Sequence, residues 1–192
     1  MRKVKNMRKL IVFNNVSLDG YFVDPSGDMS WAHMNSQDKE WSEFVAGNAS
    51  GDGELLFGRV TYDLMAGYWP TPVAAKNNPV VAEGMNRMPK IVFSRTMDRA
   101  AWNNTRLIKS DPAAAVRELK DESGPGMVIM GSGSIISQLA PKGLIDEYQL
   151  VVNPIALGGG RTMFDGIQEK LNFKLTRSRA FANGKVFLCY AP

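Results

Sequence analysis

The sequence contains little of what disulfide, zinc and membrane proteins require. Its 192 residues include one cysteine and one histidine, which excludes an internal disulfide and a cysteine-rich zinc site, and we expect no metal. No apolar run approaches the roughly 20 residues that span a bilayer, and the run at 10–13 is too short for a signal peptide. We therefore expect a cytoplasmic protein without a membrane segment, with Cys189 as a small buried residue of a strand.

Blocks of one charge are also missing outside the N-terminus. The formal net charge is +4, and four basic residues stand within the first eight: Arg2, Lys3, Lys5 and Arg8. Elsewhere the signs are mixed and no basic run interleaves with aromatic residues, so we expect no nucleic-acid partner. A basic nucleic-acid binder is kept as a third possibility that salt-dependent DNA binding would support. We interpret residues 1–8 as a solvated basic extension and 9–192 as one domain.

What the chain does contain is an alternation of short apolar runs and helical patterns. Strands are predicted at 9–16, 54–58, 90–94, 105–109, 126–130 and 145–157, and a terminal hairpin at 173–181 and 185–191 around Asn183-Gly184. Helices are predicted at 36–49, 59–69, 111–122 and 134–140, with Ser36 and Asp111 as N-caps. The proline-rich stretch 69–84 is predicted as a surface loop with one short helix at most. This alternation predicts an α/β domain with a mostly parallel sheet.

One strand-turn-helix segment, "VIMGSGSIISQL" at 128–139, favours anion binding. Backbone amides at a helix start attract phosphate, and small residues let its oxygens approach closely. The dinucleotide fingerprint is incomplete because Ile136 stands where its third glycine would be, and no Gly-Lys-Ser/Thr follows. An ordinary βα turn is therefore an equal alternative for this segment alone.

Two further strand ends carry groups that bind phosphate. Gly58 is followed by Arg59 and Thr61, and Ser94 is followed by Arg95. A guanidinium binds phosphate through two donors, and the carboxyl ends of parallel strands share one edge, where ligands bind. Three such ends predict a site for a pyrophosphate and a further phosphate.

In their order and spacing these segments resemble the dihydrofolate reductase superfamily. They are more narrowly similar to the reductase domain of bacterial riboflavin-biosynthesis deaminase-reductases and its stand-alone relatives. The resemblance covers nearly the whole chain after the N-terminal extension. It is carried by "VSLDGYF", "FGRVTYDLM", "VFSRT", "IMGSGSIISQL" and "IDEYQLVVNPIALGGGRTMF".

The resemblance implies a dihydrofolate-reductase-like three-layer fold. Its mixed, mostly parallel central sheet has eight strands, with an antiparallel C-terminal hairpin and flanking helices. It also implies NADPH, hydride transfer to a small heterocyclic substrate of pterin or pyrimidine type, and a homodimer. We assign the dimer contact to the apolar strand 185–190, unless the strand 173–181 covers it. The deaminase motifs are absent from the sequence, so the riboflavin intermediate is in doubt as the substrate.

Matched motif by motif, the resemblance also implies the cofactor residues. Phosphate positions fall on Gly58, Arg59, Thr61, Ser94 and Arg95, and the pyrophosphate turn falls on Gly131, Ser132, Gly133, Ser134 and Ile135. The family turn often begins Gly-Gly with a cis peptide, whereas this one reads Gly131-Ser132, which leaves a cis bond open.

Two aspartates are candidate proton carriers. Asp38 precedes Trp41 by three residues, the spacing of the superfamily's helical carboxylate, or else it only stabilises a helix N-terminus. Asp19 follows the first strand in "SLDGYF", or else it only shapes a turn. Weaker candidates are Glu147 beside the site, His33 at its rim, and Trp31, Trp41 and Trp69 as walls that equally suit a core. A non-catalytic nucleotide-binding protein is the competing function.

Overall fold

The computed structural model describes residues 7–33 and 38–192. The strands are β1 (Leu10–Ser17), β2 (Tyr21–Val23), β3 (Glu54–Gly58), β4 (Lys90–Phe93), β5 (Thr105–Ile108), β6 (Met127–Met130), β7 (Glu147–Asn153), β8 (Arg161–Thr162), β9 (Lys174–Ala180) and β10 (Val186–Ala191). The helices are α1 (Lys39–Ala49), α2 (Arg59–Tyr68), α3 (Pro72–Asn77), α4 (Pro79–Arg87), α5 (Pro112–Asp121) and α6 (Gly133–Leu139). Short 3₁₀ helices cover Ser30–His33 and Ala140–Lys142.

Eight of these strands form one sheet in the order β5-β4-β3-β6-β1-β7-β10-β9. All neighbours from β5 to β7 pair in parallel, and β10 pairs antiparallel with both β7 and β9. The predicted fold class is confirmed, including the closing hairpin. Because the six neighbouring strands β5, β4, β3, β6, β1 and β7 run in parallel, their carboxyl ends meet at one edge of the sheet.

Helices cover both faces of this sheet. One core cluster packs β1 and β6 against α5 and α6, and a second packs β3 and β4 around Tyr62, Met85 and Trp102. A third, aromatic cluster holds α1 against β10 through Trp41, Phe44 and Phe187. Cys189 lies in that third cluster and is 1% exposed, as expected for a small residue of a strand.

Several elements differ from the sequence-based expectation. The stretch 69–84 carries α3 and most of α4, because Pro72 and Pro79 each occupy the first helical position, where proline is favoured, and do not break a helix. The long strand predicted at 145–157 ends at Asn153, directly before Pro154. A separate two-stranded sheet of β2 and β8 was not predicted. Ser36, the predicted N-cap of the first helix, lies outside the described residues, and Asp38 caps α1.

Arg8 is not solvated, contrary to the expectation for the basic extension. It is 7% exposed, and it donates to Glu54 Oε2 at 2.6 Å and to the Pro125 carbonyl at 2.6 Å. A buried guanidinium requires such partners. The start of β3 and the loop before β6 supply them only in the folded chain.

Strand β10 is not an edge strand, which overturns the dimer contact assigned to 185–190. It has β7 on one side and β9 on the other, so the competing account, in which the preceding strand covers it, is correct. The edges of the sheet are β5 and β9.

Within residues 7–33 and 38–192, no helix has the length and apolar character needed to cross a membrane.

Candidate functional site

A cleft of about 500 Å³ opens at the carboxyl edge of the sheet. Segments that follow β1, β3, β4, β5 and β6 line it, together with β8. Every residue predicted to bind the cofactor lines this cleft except Gly131: Gly58, Arg59, Thr61, Ser94, Arg95, Ser132, Gly133, Ser134 and Ile135. Three strand ends that are far apart in sequence therefore share one depression.

The turn between β6 and α6 is held in place by side chains of β1 and α2. Asn14 of β1 accepts a hydrogen bond from the Gly131 amide at 2.6 Å, and Thr61 of α2 accepts one from the Ser132 amide at 3.2 Å. The Ser132 hydroxyl accepts from the Gly58 amide at 2.7 Å. Ser132 and Thr61 thus fasten the turn to β3 and α2, so their hydroxyls are engaged with protein.

The glycines of the turn meet their neighbours closely. Gly131 has φ +60°, and a Cβ there would lie 2.9 Å from the Thr61 methyl group. A Cβ on Gly133 would lie 3.3 Å from the Phe22 ring. Ser132 adopts the left-handed conformation with φ 56°, and the described residues contain no cis peptide bond. The chain therefore turns through a left-handed pair of residues, and a side chain at Gly131 would overlap Thr61.

Arg59 and Arg95 lie on neighbouring segments of the cleft wall. Arg59 donates to Asp63 on the same helix at 3.1 Å, whereas Arg95 is exposed and makes no ion pair with any described residue. The Ser94 hydroxyl accepts from the amides of Thr96 and Met97, which shapes the loop after β4. The exposed guanidinium groups of Arg59 and Arg95, beside the loop shaped by the Ser94 hydroxyl, suit an anionic ligand.

Asp38 caps α1 and does not line the cleft. Its carboxylate accepts a hydrogen bond from the Trp41 amide at 2.8 Å. The three-residue spacing to tryptophan, which resembles the superfamily's helical carboxylate, is here the spacing of an N-cap.

Asp19 also lies outside the cleft lining, on the exposed turn after β1. Its carboxylate accepts from the Ser17 hydroxyl at 2.6 Å and from the Leu157 and Gly158 amides at 3.0 Å and 2.7 Å. These bonds, the Ser17 hydroxyl foremost, lower the pKa of Asp19 to about 2. The residue ties the turn after β1 to the glycine-rich loop after β7.

The weaker candidates are dispersed. Glu147 pairs with Ile11 in the parallel β1–β7 register and so lies at the opposite, amino edge of the sheet. Trp31 and Trp41 are buried in the protein, and Trp69 packs against the second core cluster. His33 ends a 3₁₀ helix. None of these residues is among those that line the cleft.

Sequence reasoning missed one wall of the cleft. Phe22, Met29, Arg161 and Asp165 line it from β2, β8 and the loops around them. The signal was present in "GGGRT", but only the pairing of Val23 with Arg161 brings that loop to the turn after β1.

The arrangement suits an anionic ligand. The glycine turn leads into the start of α6, and Arg59 and Arg95 stand one and two strand ends away along the sheet. The amides of Gly133 and Ser134, at the start of α6, have no acceptor among the described residues, as is usual in the first turn of a helix.

Comparison with known proteins gives one family and a consistent set of neighbours. The model of the RibD C-terminal domain matches residues 8–187. Among curated relatives are two uncharacterized Bacillus subtilis proteins. YyaP is 27% identical over 95% of this chain and 94% of its own length, and YwjB is 23% identical over 91% and 92%.

Solved structures share the fold. A candidate riboflavin biosynthesis protein from Shewanella sp. PV-4 matches with a TM-score of 0.71 at 24% identity, over 95% of this chain and 98% of that one. The deaminase/5-amino-6-(5-phosphoribosylamino)uracil reductase of Thermotoga maritima matches at 0.68 and 14% identity, over 98% of this chain but only 57% of that one. A dihydrofolate reductase from Enterococcus faecalis, complexed with NADP(H), matches at 0.58 and 15% identity, over 95% of each chain.

The match spans nearly the whole chain and includes the segments predicted to bind phosphate, and it supports a reductase. The chain belongs to the RibD C-terminal domain family.

Proposed function

We propose that the protein is an NADPH-dependent reductase that transfers a hydride to a small heterocycle of pterin or pyrimidine type. The observation that carries this proposal is the cleft, in which residues predicted to bind phosphate meet from three strand ends. Family membership and the fold shared with a dihydrofolate reductase that binds NADP(H) support it.

In this proposal each part of the cleft has a task. Arg59 and Arg95 hold the phosphate that distinguishes NADPH from NADH, and the turn at 131–135 holds the pyrophosphate. Phe22, Leu64 and Phe93 supply apolar walls of the cleft. The nicotinamide supplies the hydride when the cofactor is bound, so the protein has to place the two reactants and deliver a proton.

The positions of the two predicted proton carriers favour the alternative function, a non-catalytic nucleotide-binding protein. Neither Asp38 nor Asp19 lines the cleft, and among the described residues that line it Asp165 is the one carboxylate. A non-catalytic nucleotide-binding protein would keep the cofactor residues and need no such acid. If the protein is a reductase, Asp165 is the group whose removal should be examined first.

A titration followed by a turnover screen separates these functions. NADPH is titrated by calorimetry, and the protein is then mixed with NADPH and a panel of oxidised pterins and pyrimidines. Binding with loss of NADPH absorbance in the presence of one panel compound is expected. Binding without turnover of any compound favours the non-catalytic alternative, and absence of NADPH binding contradicts both functions.

We also propose that the protein is a homodimer. The supporting observation is now the open edge strand β9, whose seven residues are all exposed. Unpaired backbone groups of such a strand favour association, and a two-fold pair is the commonest closed assembly.

A further inference from the structure

We propose that Arg161 is a cofactor-positioning residue, whose guanidinium binds the pyrophosphate of the dinucleotide. This inference rests on the proposed function. It adds to the turn at 131–135 a charged side chain that no motif assigns to the pyrophosphate.

The loop that carries Arg161 lies directly against the turn. A Cβ on Gly133 would be 3.3 Å from Phe22 Cζ and 3.8 Å from the Met163 carbonyl oxygen. Phe22 and Met163 are both buried, so these contacts belong to a packed part of the protein. Met163 is two residues from Arg161, which places the arginine beside the start of α6.

The position of Arg161 is fixed by its backbone and by an aromatic ring. Gly160 has φ +135°, and a Cβ there would overlap the Val23 carbonyl oxygen, so the loop approaches β2 more closely than another residue would allow. Arg161 then pairs with Val23, and its guanidinium carbon lies 5.9 Å from the centroid of the Phe22 ring. The Phe22 ring therefore lies against the turn and also within cation–π distance of the Arg161 guanidinium.

The charge of Arg161 is available for a ligand. Its side chain lines the cleft, and within residues 7–33 and 38–192 it forms no ion pair. By contrast, Arg8, Arg59, Arg87 and Arg179 each have a carboxylate partner within 4.0 Å. Asp165 lines the same cleft but is not within ion-pair distance.

The sheet order separates Arg161 from the other arginines. Arg95 follows β4, and the turn follows β6, two strands further along the sheet. Arg161 pairs with the segment after β1, on the far side of β6. At about 4.8 Å per strand, β4 and β1 are roughly 14 Å apart, so Arg95 and Arg161 contact different parts of an extended dinucleotide. Arg95 suits the adenosine phosphate, and Arg161 suits the phosphates at the turn.

The test compares NADPH with adenosine 2′-monophosphate, which carries the adenosine phosphate but no pyrophosphate. Both are titrated by calorimetry into wild type, Arg161→Gln, Arg161→Lys and a control, Arg106→Gln, which removes the same charge at the opposite edge of the sheet. A charge-assisted bond predicts that Arg161→Gln weakens NADPH binding roughly tenfold or more. Arg161→Lys should recover part of that loss.

Three further results are expected if Arg161 contacts the pyrophosphate directly. The affinity for adenosine 2′-monophosphate stays at the wild-type value in Arg161→Gln. The salt dependence of NADPH binding becomes less steep, because one cation fewer contacts the ligand. The unliganded thermal midpoint stays unchanged, which a merely structural role would not allow.

Unchanged NADPH affinity in Arg161→Gln overturns the proposal, as does an equal loss for both ligands. If Arg161→Gln does not fold, Arg161→Met takes its place, because methionine is also unbranched but carries no charge: a loss confined to NADPH supports the contact and no loss refutes it. Wild-type protein that binds neither ligand contradicts the proposed function itself, a result separate from failure at Arg161.

Discussion

Gly133 occupies a position in the cleft where a side chain would meet the Phe22 ring at 3.3 Å. We predict that Gly133→Val abolishes NADPH binding while the protein still folds, because a branched side chain displaces the ring and blocks the pyrophosphate. Calorimetry with NADPH and a thermal scan measure the two effects. Gly47→Val on α1, where a Cβ meets nothing within 4 Å, should bind normally; wild-type affinity in Gly133→Val would show that the turn is an ordinary connection.

The arginines predict a preference between the two nicotinamide cofactors. We expect NADPH to bind roughly tenfold or more tightly than NADH, since a charge-assisted bond contributes about 1.5–3 kcal/mol. Arg95→Gln should reduce this preference by weakening NADPH alone, because Arg95 has no ion pair within the described chain. Dissociation constants of both cofactors for both proteins measure it, and equal values for wild type would rule the assignment out.

Asp19 predicts an acid-dependent contribution to stability. Its folded pKa of about 2 lies below the ordinary value of 3.8, so the unfolded chain binds the proton more readily. The stabilisation is therefore complete above about pH 4 and is lost as the pH falls towards 2. We predict that the difference in thermal midpoint between wild type and Asp19→Asn follows this course. A difference that is independent of pH would contradict the charged hydrogen bonds to Ser17, Leu157 and Gly158.

At the level of elements, the N-terminus of α1 allows the two roles of Asp38, helix cap and proton carrier, to be separated. As the N-cap, Asp38 should stabilise the protein by about 1 kcal/mol relative to alanine. We predict that Asp38→Ala lowers the free energy of unfolding by that amount in urea, whereas Asp38→Ser, which keeps a cap, retains most of it. Normal turnover in Asp38→Ser would confirm that the carboxylate only caps the helix, and loss of turnover with intact stability would restore it as the proton carrier.

For the whole molecule, the open edge of the sheet predicts the assembly. Light scattering at micromolar concentration should give twice the chain mass of 21.2 kDa. Leu175 of β9 is 49% exposed, and Leu175→Lys should return the mass to that of one chain if β9 forms the contact. A double mass in this variant would move the interface elsewhere, and a single mass for wild type would refute the dimer. A charged residue at Val186, by contrast, would affect folding and not only assembly, because β10 lies between β7 and β9 inside the sheet.

The sequence by itself determined the class of fold and the three strand ends that line one side of the cleft; it did not identify the wall formed by β2 and β8. Apolar runs of four or five residues alternate with helical patterns, and that local periodicity suffices to predict parallel pairing. Strand ends such as Gly58, Ser94 and Met130 are local features too. Their meeting at one edge follows from parallel pairing alone.

Only the tertiary structure decided which side chains face the cleft. Asp38 and Asp19 have the spacing and turn context of functional acids, yet the carboxylates of both accept hydrogen bonds from backbone amides. Asp38 bonds the nearby Trp41 amide, whereas Asp19 bonds the Leu157 amide, 138 residues away in sequence. The motif around Arg161 does not show that this residue lines the cleft, because its position depends on pairing between β2 and β8. Arg8 is buried for the same reason: its partners, Glu54 and Pro125, are brought to it by the sheet and are distant in the sequence. Long-range contacts of this kind have no periodicity that a sequence pattern could show.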